Sequence, residues 1–140
     1  MKYVETKELD AEQLLNLYTA VGWGAYSNNP EDLVPMVRNC WYVYAAFDED
    51  ALVGLARVVG DGFSVAYIQD LLVLPDYQRQ GIGRELMNRV LTRISEAKIR
   101  QTYLTTDSAA ANQHVIDFYL SLGFKNVDGY ECTTLAQFTF

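Results

Sequence analysis

Residues 68–94, I-Q-D-L-L-V-L-P-D-Y-Q-R-Q-G-I-G-R-E-L-M-N-R-V-L-T-R-I, constrain the fold of this chain more than any other segment. An apolar run of strand character ends at Pro75 and gives way to a polar loop. The chain then enters a helix at Gly81-Ile82-Gly83. Ile82, Leu86, Val90 and Ile94 share one face of it, with Met87 and Leu91 beside them, which is helical spacing. Glycines at the mouth of a helix let a ligand approach the backbone closely. The unpaired N–H groups and positive dipole end there favour an anion. Arg79 and Arg84 flank the turn and can add charge-assisted contacts to a phosphate. The segment reads as a strand, a loop and a helix that together seat a pyrophosphate.

Two common phosphate-binding patterns are excluded. No G-x-x-x-x-G-K-[ST] run exists, and the dinucleotide fingerprint would need a third glycine where this chain has Leu86. What remains is Q-x-x-G-x-G at Gln78, Gly81 and Gly83.

The chain has 140 residues, half of them hydrophobic, which predicts a single domain over residues 1–140 with a substantial core. Cys40 and Cys132 lie far apart and make neither a metal pattern nor a disulfide framework, so a cytoplasmic setting is expected. With one histidine, His114, a zinc site or a histidine-based triad has little to build on, and no metal is expected. His114 itself reads as a surface residue. The charged start, M-K-Y-V-E-T-K-E-L-D, does not resemble a signal peptide, and no apolar run approaches membrane length. The net charge of −7 is unevenly spread: residues 78–100 carry +4 and the remainder −11. Arg89 and Arg93 read as a solvated helix face, and the arginines at the turn as an anion site. The acidic remainder argues against nucleic acid and for a cationic small molecule.

Taken in order, Lys2–Thr6 reads as a first strand. Asp10 with Gln13 can form a capping box for a helix bearing Leu14, Leu15, Leu17, Tyr18 and Val21. A loop with Trp23 and Tyr26 among glycines follows. These aromatics either anchor the loop in the core or wall an acceptor pocket. Pro30 suits the start of a second helix, which Pro35 would kink or shorten. Trp41–Phe47, Leu52–Val59 and Phe63–Leu74 form an antiparallel meander with polar turns between. After the central helix come a short strand at Thr102–Thr105, a helix at Asn112–Leu122 stopped by Gly123, and one or two last strands from Phe124 onward. This alternation argues for an α/β (α+β) domain.

Q-x-x-G-x-G in its strand–loop–helix setting resembles the acetyl-CoA-binding motif of the GNAT superfamily of N-acetyltransferases. N-Q-H-V-I-D-F-Y-L-S-L-G-F, residues 112–124, is similar to that family's N-x-x-A-x-x-F-Y-x-x-x-G-F signature, departing at Val115 where alanine is usual. The resemblance covers the chain after Trp41. It implies a mixed, mostly antiparallel sheet of six to seven strands with about four helices, splayed between the glycine-turn strand and the Thr102 strand. It also implies direct acetyl transfer from acetyl-CoA to a primary amine, most simply of a small molecule, without metal, membrane or nucleic acid, and leaves room for a homodimer. A non-catalytic acyl-CoA sensor, a user of longer acyl-CoAs and a protein or peptide N-acetyltransferase stay open beside it.

The implied cofactor contacts are Leu72, Val73 and Leu74, with Leu71, through their backbone, then Gln78, Arg79, Gln80, Gly81, Ile82, Gly83 and Arg84 at the turn, and Asn112 and Phe118 further on. Asn112 also reads as a helix cap. An alkylamine with a pKa near 10 must lose a proton before it attacks, and a carboxylate is the usual acceptor. Asp70, which interrupts an apolar run and by strand alternation shares a face with Ile68 and Leu72, is the candidate. Its alternative role is to satisfy backbone donors or to pair with a basic residue. Tyr119 stands where many family members carry the acid that protonates the leaving thiolate, and it also reads as a core tyrosine beside Val115 and Leu122.

Overall fold

The computed structural model describes residues 1–139, which form two compact units, 1–105 and 106–139. The first unit holds a five-stranded sheet in sequence order, β1 (Lys2–Glu5), β2 (Tyr42–Asp48), β3 (Ala51–Gly60), β4 (Val65–Val73) and β5 (Gln101–Leu104). All pairings are antiparallel except β4 with β5, which is parallel. The helices of this unit are α1 (Ala11–Ala20), α2 (Gly24–Ser27), α3 (Leu33–Arg38) and α4 (Ile82–Glu96).

Adjacent residues of β3 identify the two faces of the sheet. Gly54 lies under α4, where an added Cβ would stand 3.2 Å from Leu86 Cδ1 and 3.3 Å from Ile82 Cγ2. Leu55 joins Leu14, Leu17, Tyr18, Leu33, Val37 and Leu72 in a cluster from which water is almost wholly excluded. Helices α1 and α3 therefore cover one face and α4 the other.

The capping box of α1 is half formed. Asp10 Oδ2 accepts from Gln13 N at 3.0 Å, but the Gln13 side chain reaches instead to Asp50 O and Leu52 N, tying α1 to the β2–β3 turn. The expected second helix is a 3-10 turn, Pro30–Asp32, running into α3, and Pro35 sits in the first turn of α3, where its missing N–H costs nothing. The short helix α2 within the glycine loop was not foreseen. Arg89 stays exposed and pairs with Glu85 at i,i+4, as a solvated face would have it, whereas Arg93 is half-buried; both also rest on aromatic rings. The Arg93 guanidinium lies 5.0 Å from the Trp41 ring centre, and Arg89 lies 5.4 Å from that of Tyr44, whose hydroxyl oxygen accepts from Arg89 Nη1 at 2.6 Å.

The second unit contains α5 (Gln113–Ser121) and a 3-10 turn at Val127–Tyr130. Gly123 takes φ +99°, the left-handed close expected of it. The strands expected from Phe124 onward do not form among the described residues, so the sheet has five strands rather than six or seven. Asn126, Asp128 and Gly129 favour a tight turn there, and Glu131 at φ 60° turns the chain again. Phe140 lies outside the described residues.

Candidate active site

The register of β3 against β4 shifts by one residue at a single point: Arg57 stands opposite Asp70, but Val58 stands opposite Ile68. Gln69 is the extra residue, so β4 carries a bulge there. The bulge overturns the strand-face reading for Asp70. Leu72 stays with Asp70 on the α1 side, while Ile68, paired with Val58, turns to the α4 side.

Asp70 is only 1 % exposed. Its Oδ2 accepts from Arg57 Nε at 2.6 Å and from the Tyr18 hydroxyl at 2.5 Å, while Oδ1 is buried without a partner. Burial works against the Arg57 charge, yet the adjoining Asp70 carboxylate more than compensates and holds the guanidinium above its ordinary range. Burial first, and the Asp70 charge second, push the Tyr18 hydroxyl well up, so it acts as a neutral donor. Of the two readings of Asp70, the structure displays ion pairing.

Trp23 and Tyr26 lie together with Tyr18, at ring-centre separations of 6.3 Å (Tyr18–Trp23), 5.3 Å (Tyr18–Tyr26) and 6.2 Å (Trp23–Tyr26). Tyr26 also covers the Arg57 guanidinium at 5.7 Å, and its hydroxyl accepts from Gln69 Nε2 at 3.1 Å. Trp23 remains 36 % exposed. The glycine loop thus presents a part-open aromatic wall directly above the bulge.

Beyond the bulge, β4 loses one neighbour. Its parallel pairing with β5 covers only Val65–Ile68, whereas its pairing with β3 continues to Val73. Just past β5, the Thr105 hydroxyl meets that of Tyr67. The expected splay is therefore present. Leu74 N donates to Val53 O at 2.9 Å, so by antiparallel alternation the backbone groups of Leu72 and Leu74 face β3. Leu71 and Val73 present theirs to the open side. Of the four backbone contacts expected, the open edge carries these two, and Leu72 and Leu74 are turned away.

The chain then passes through a 3-10 turn, Pro75–Tyr77, to the exposed residues Gln78, Arg79, Gln80 and Gly81. Gln78 Nε2 donates to Val73 O at 3.0 Å and Gln80 Nε2 to Asp76 O at 3.2 Å, which braces the loop from within. Arg79 takes φ 61° and Gly81 φ 85°. Gly81 is the N-cap of α4 and offers no side chain to it, so the first-turn N–H groups of Ile82 and Gly83 have no intrahelical partner. A Cβ on Gly81 would meet nothing within 4 Å. This open end of a 15-residue helix suits a pyrophosphate, and the open edge of β4 suits the amides of an extended arm.

In the second unit, Tyr119 is half-buried and packs edge-on against Phe118 at 5.2 Å and Phe124 at 6.0 Å. Burial pushes its hydroxyl up to about 12. Asn112 does not cap α5. Its Nδ2 donates to Asp107 O at 2.7 Å and to Thr106 Oγ1 at 3.1 Å, pinning the loop before the helix.

Arg57, Tyr18 and Gln69 were not singled out from sequence. Arg57 could have been: a lone charge in the apolar run A-L-V-G-L-A-R-V-V needs a buried partner, and the neighbouring strand offers Asp70. The bulge that exposes Gln69 leaves no such mark.

A sheet parted beside a bulge and followed by a bare helix start defines a class of acyl-CoA-binding domain, and the comparisons agree with it. The profile of the acetyltransferase (GNAT) family matches residues 9–124. A GNAT-family acetyltransferase structure from Streptococcus pneumoniae TIGR4 is 39 % identical, with a TM-score of 0.80, covering 99 % of this chain and 97 % of that one. An aminoglycoside acetyltransferase from an uncultured soil metagenomic sample, in complex with sisomicin, is 26 % identical at TM-score 0.69, covering 99 % and 94 %. An uncharacterised N-acetyltransferase of Porphyra purpurea is 37 % identical over 130 residues, 89 % of this chain and 70 % of that protein. The chain spans only 28 % of the chloroplastic GCN5-related N-acetyltransferase 2 of Arabidopsis thaliana, to which it is 38 % identical over 77 residues. The chain belongs to the GNAT acetyltransferase family.

Proposed function

We propose that this domain transfers an acetyl group from acetyl-CoA directly to a primary amine of a small molecule. The observation that carries this is the open edge of β4, where the backbone of Leu71 and the N–H of Val73 face away from β3 beyond the last pairing with β5, leading through the Pro75–Tyr77 turn to the start of α4, which has no side-chain cap. The donor supplies a thioester whose carbonyl carbon is attacked by the amine nitrogen, so that a C–N bond forms and the C–S bond breaks. An N–H on the open edge would stabilise the developing oxyanion. Tyr119 gives its hydroxyl proton to the departing thiolate and is reprotonated from solvent, which also takes the proton lost by the amine. Asp70 is assigned to hold the bulge in place rather than to take that proton, because a fully withdrawn, ion-paired carboxylate has no route to an amine in the cleft.

A small acceptor is supported by the aromatic wall of Trp23 and Tyr26 and by the net negative charge of the chain outside residues 78–100. The sisomicin-bound relative and a similarity to serotonin N-acetyltransferase 2 of Oryza sativa, 35 % identical over 72 residues, point the same way. The test is turnover of acetyl-CoA against a panel of amines and peptides, followed by free-thiol release. Acetylation of peptides alone would reject the small-molecule assignment.

A further inference from the structure

We propose that Gln69 is the side chain that orients the acceptor amine. The proposal rests on the acetyltransferase reading above. The amine must present a lone pair to the thioester carbonyl, and a hydrogen-bond acceptor on the other side of its nitrogen fixes that direction. Asp70 is withdrawn from this task by Arg57 and Tyr18, and its unpartnered Oδ1 lies below the surface. The residue beside it is placed differently. Gln69 is the extra residue of the bulge, exposed, and next to Ile68, the last position at which β4 pairs with β5. It therefore stands where the two strands part.

Its side chain is held there. Nε2 donates to the Tyr26 hydroxyl at 3.1 Å, which orients the amide and leaves Oε1 as the acceptor end. Tyr26 is itself fixed against Tyr18 and over Arg57, and Arg57 is locked to Asp70. The buried ion pair thus positions the amide through Tyr26, and the aromatic wall that would contact the body of the acceptor carries the same tyrosine. A neutral carbonyl oxygen accepts from an amine N–H without competing for its proton. Gln69 thus orients the amine without holding its charged form as strongly as a carboxylate would.

The test uses the full chain with acetyl-CoA and three acceptor probes, 2-phenylethylamine, spermidine and kanamycin. Gln69→Leu should lower kcat/KM for the accepted amine by about 10- to 100-fold. The KM for acetyl-CoA and the melting shift it causes should stay within about 2-fold, a split that a folding defect would not produce. Gln69→Glu, which keeps an oxygen acceptor and can receive a bond from Tyr26, should retain more activity than Gln69→Leu, with its kcat/KM profile moved to higher pH because a carboxylate holds the ammonium form more strongly. Tyr26→Phe should lower acceptor kcat/KM as well, and the double variant Tyr26→Phe/Gln69→Leu should be no worse than Gln69→Leu alone, because one contact is lost in both. Full acceptor kcat/KM in Gln69→Leu, with an active wild type, overturns the role of Gln69 and leaves the acetyltransferase reading standing. A wild type that binds acetyl-CoA yet acetylates no amine overturns both.

Discussion

Arg57 Nε lies 2.6 Å from Asp70 Oδ2 at the point where β3 and β4 fall out of register, and both residues are nearly sealed from water, at 6 % and 1 % exposure. A pair so placed is costly to break from one side, because the survivor is left as an uncompensated buried charge. Arg57→Met or Asp70→Asn alone should lower unfolding stability by about 3–5 kcal/mol. Arg57→Met with Asp70→Leu should recover most of that loss, measured by denaturant unfolding. Equal losses in the single and double variants would show that the charges do not act as a pair.

Burial holds the Tyr119 hydroxyl up to about 12. If Tyr119 is the acid, it stays protonated throughout the ordinary working range, so kcat should show no loss from its ionisation below about pH 11. Tyr119→Phe keeps the ring against Phe118 and Phe124 but should reduce kcat about 100-fold, with KM values little changed. The reduction should shrink for an acyl donor with a more acidic leaving thiol. The same burial bears on stability. Unfolded tyrosine ionises near 10 while the folded residue remains neutral, so its contribution is full below about 10 and declines between about 10 and 12. A pH titration of melting temperature checks the sign.

The start of α4 offers a cleaner separation of bulk from charge. A Cβ on Gly83 would lie 3.9 Å from Val73 Cγ2 and 4.0 Å from Leu71 Cδ2, ordinary contacts, so Gly83→Ala should fold normally. Gly83→Asp adds a negative charge beside the free N–H groups and should abolish the rise in melting temperature that acetyl-CoA gives the wild type. An undiminished rise in Gly83→Asp would place the pyrophosphate elsewhere.

Gly54 tests how firmly α4 is set on the sheet. An added methyl would stand 3.2–3.3 Å from Leu86 Cδ1, Ile82 Cγ2 and Leu72 O at once. Gly54→Ala should cost about 1–3 kcal/mol by overpacking. Because Ile82 opens the helix, acetyl-CoA should also bind more weakly, which isothermal titration would show.

The meander, the central helix, the turn and the left-handed close at Gly123 were legible in sequence because each follows from local spacing, proline or glycine. The bulge was not. It shifts register by one residue through pairing across strands, and it moved Ile68 off the face of Asp70 while exposing Gln69. The aromatic seats of Arg89 and Arg93 were hidden for the same reason: Tyr44 is 45 positions from Arg89 in the chain, and only the sheet brings them together. The strands expected after Phe124 follow a β-rich composition that the turn residues at 126–131 interrupt.

The most direct test of the account is stoichiometry. Incubation of the full chain with acetyl-CoA and the amine panel should release one free CoA thiol for each N-acetylated amine found by mass spectrometry, and the release should depend on both enzyme and amine. Acetyl-CoA that raises the melting temperature but releases no thiol above the buffer rate with any amine or peptide would contradict the account and leave a domain that binds the donor without using it.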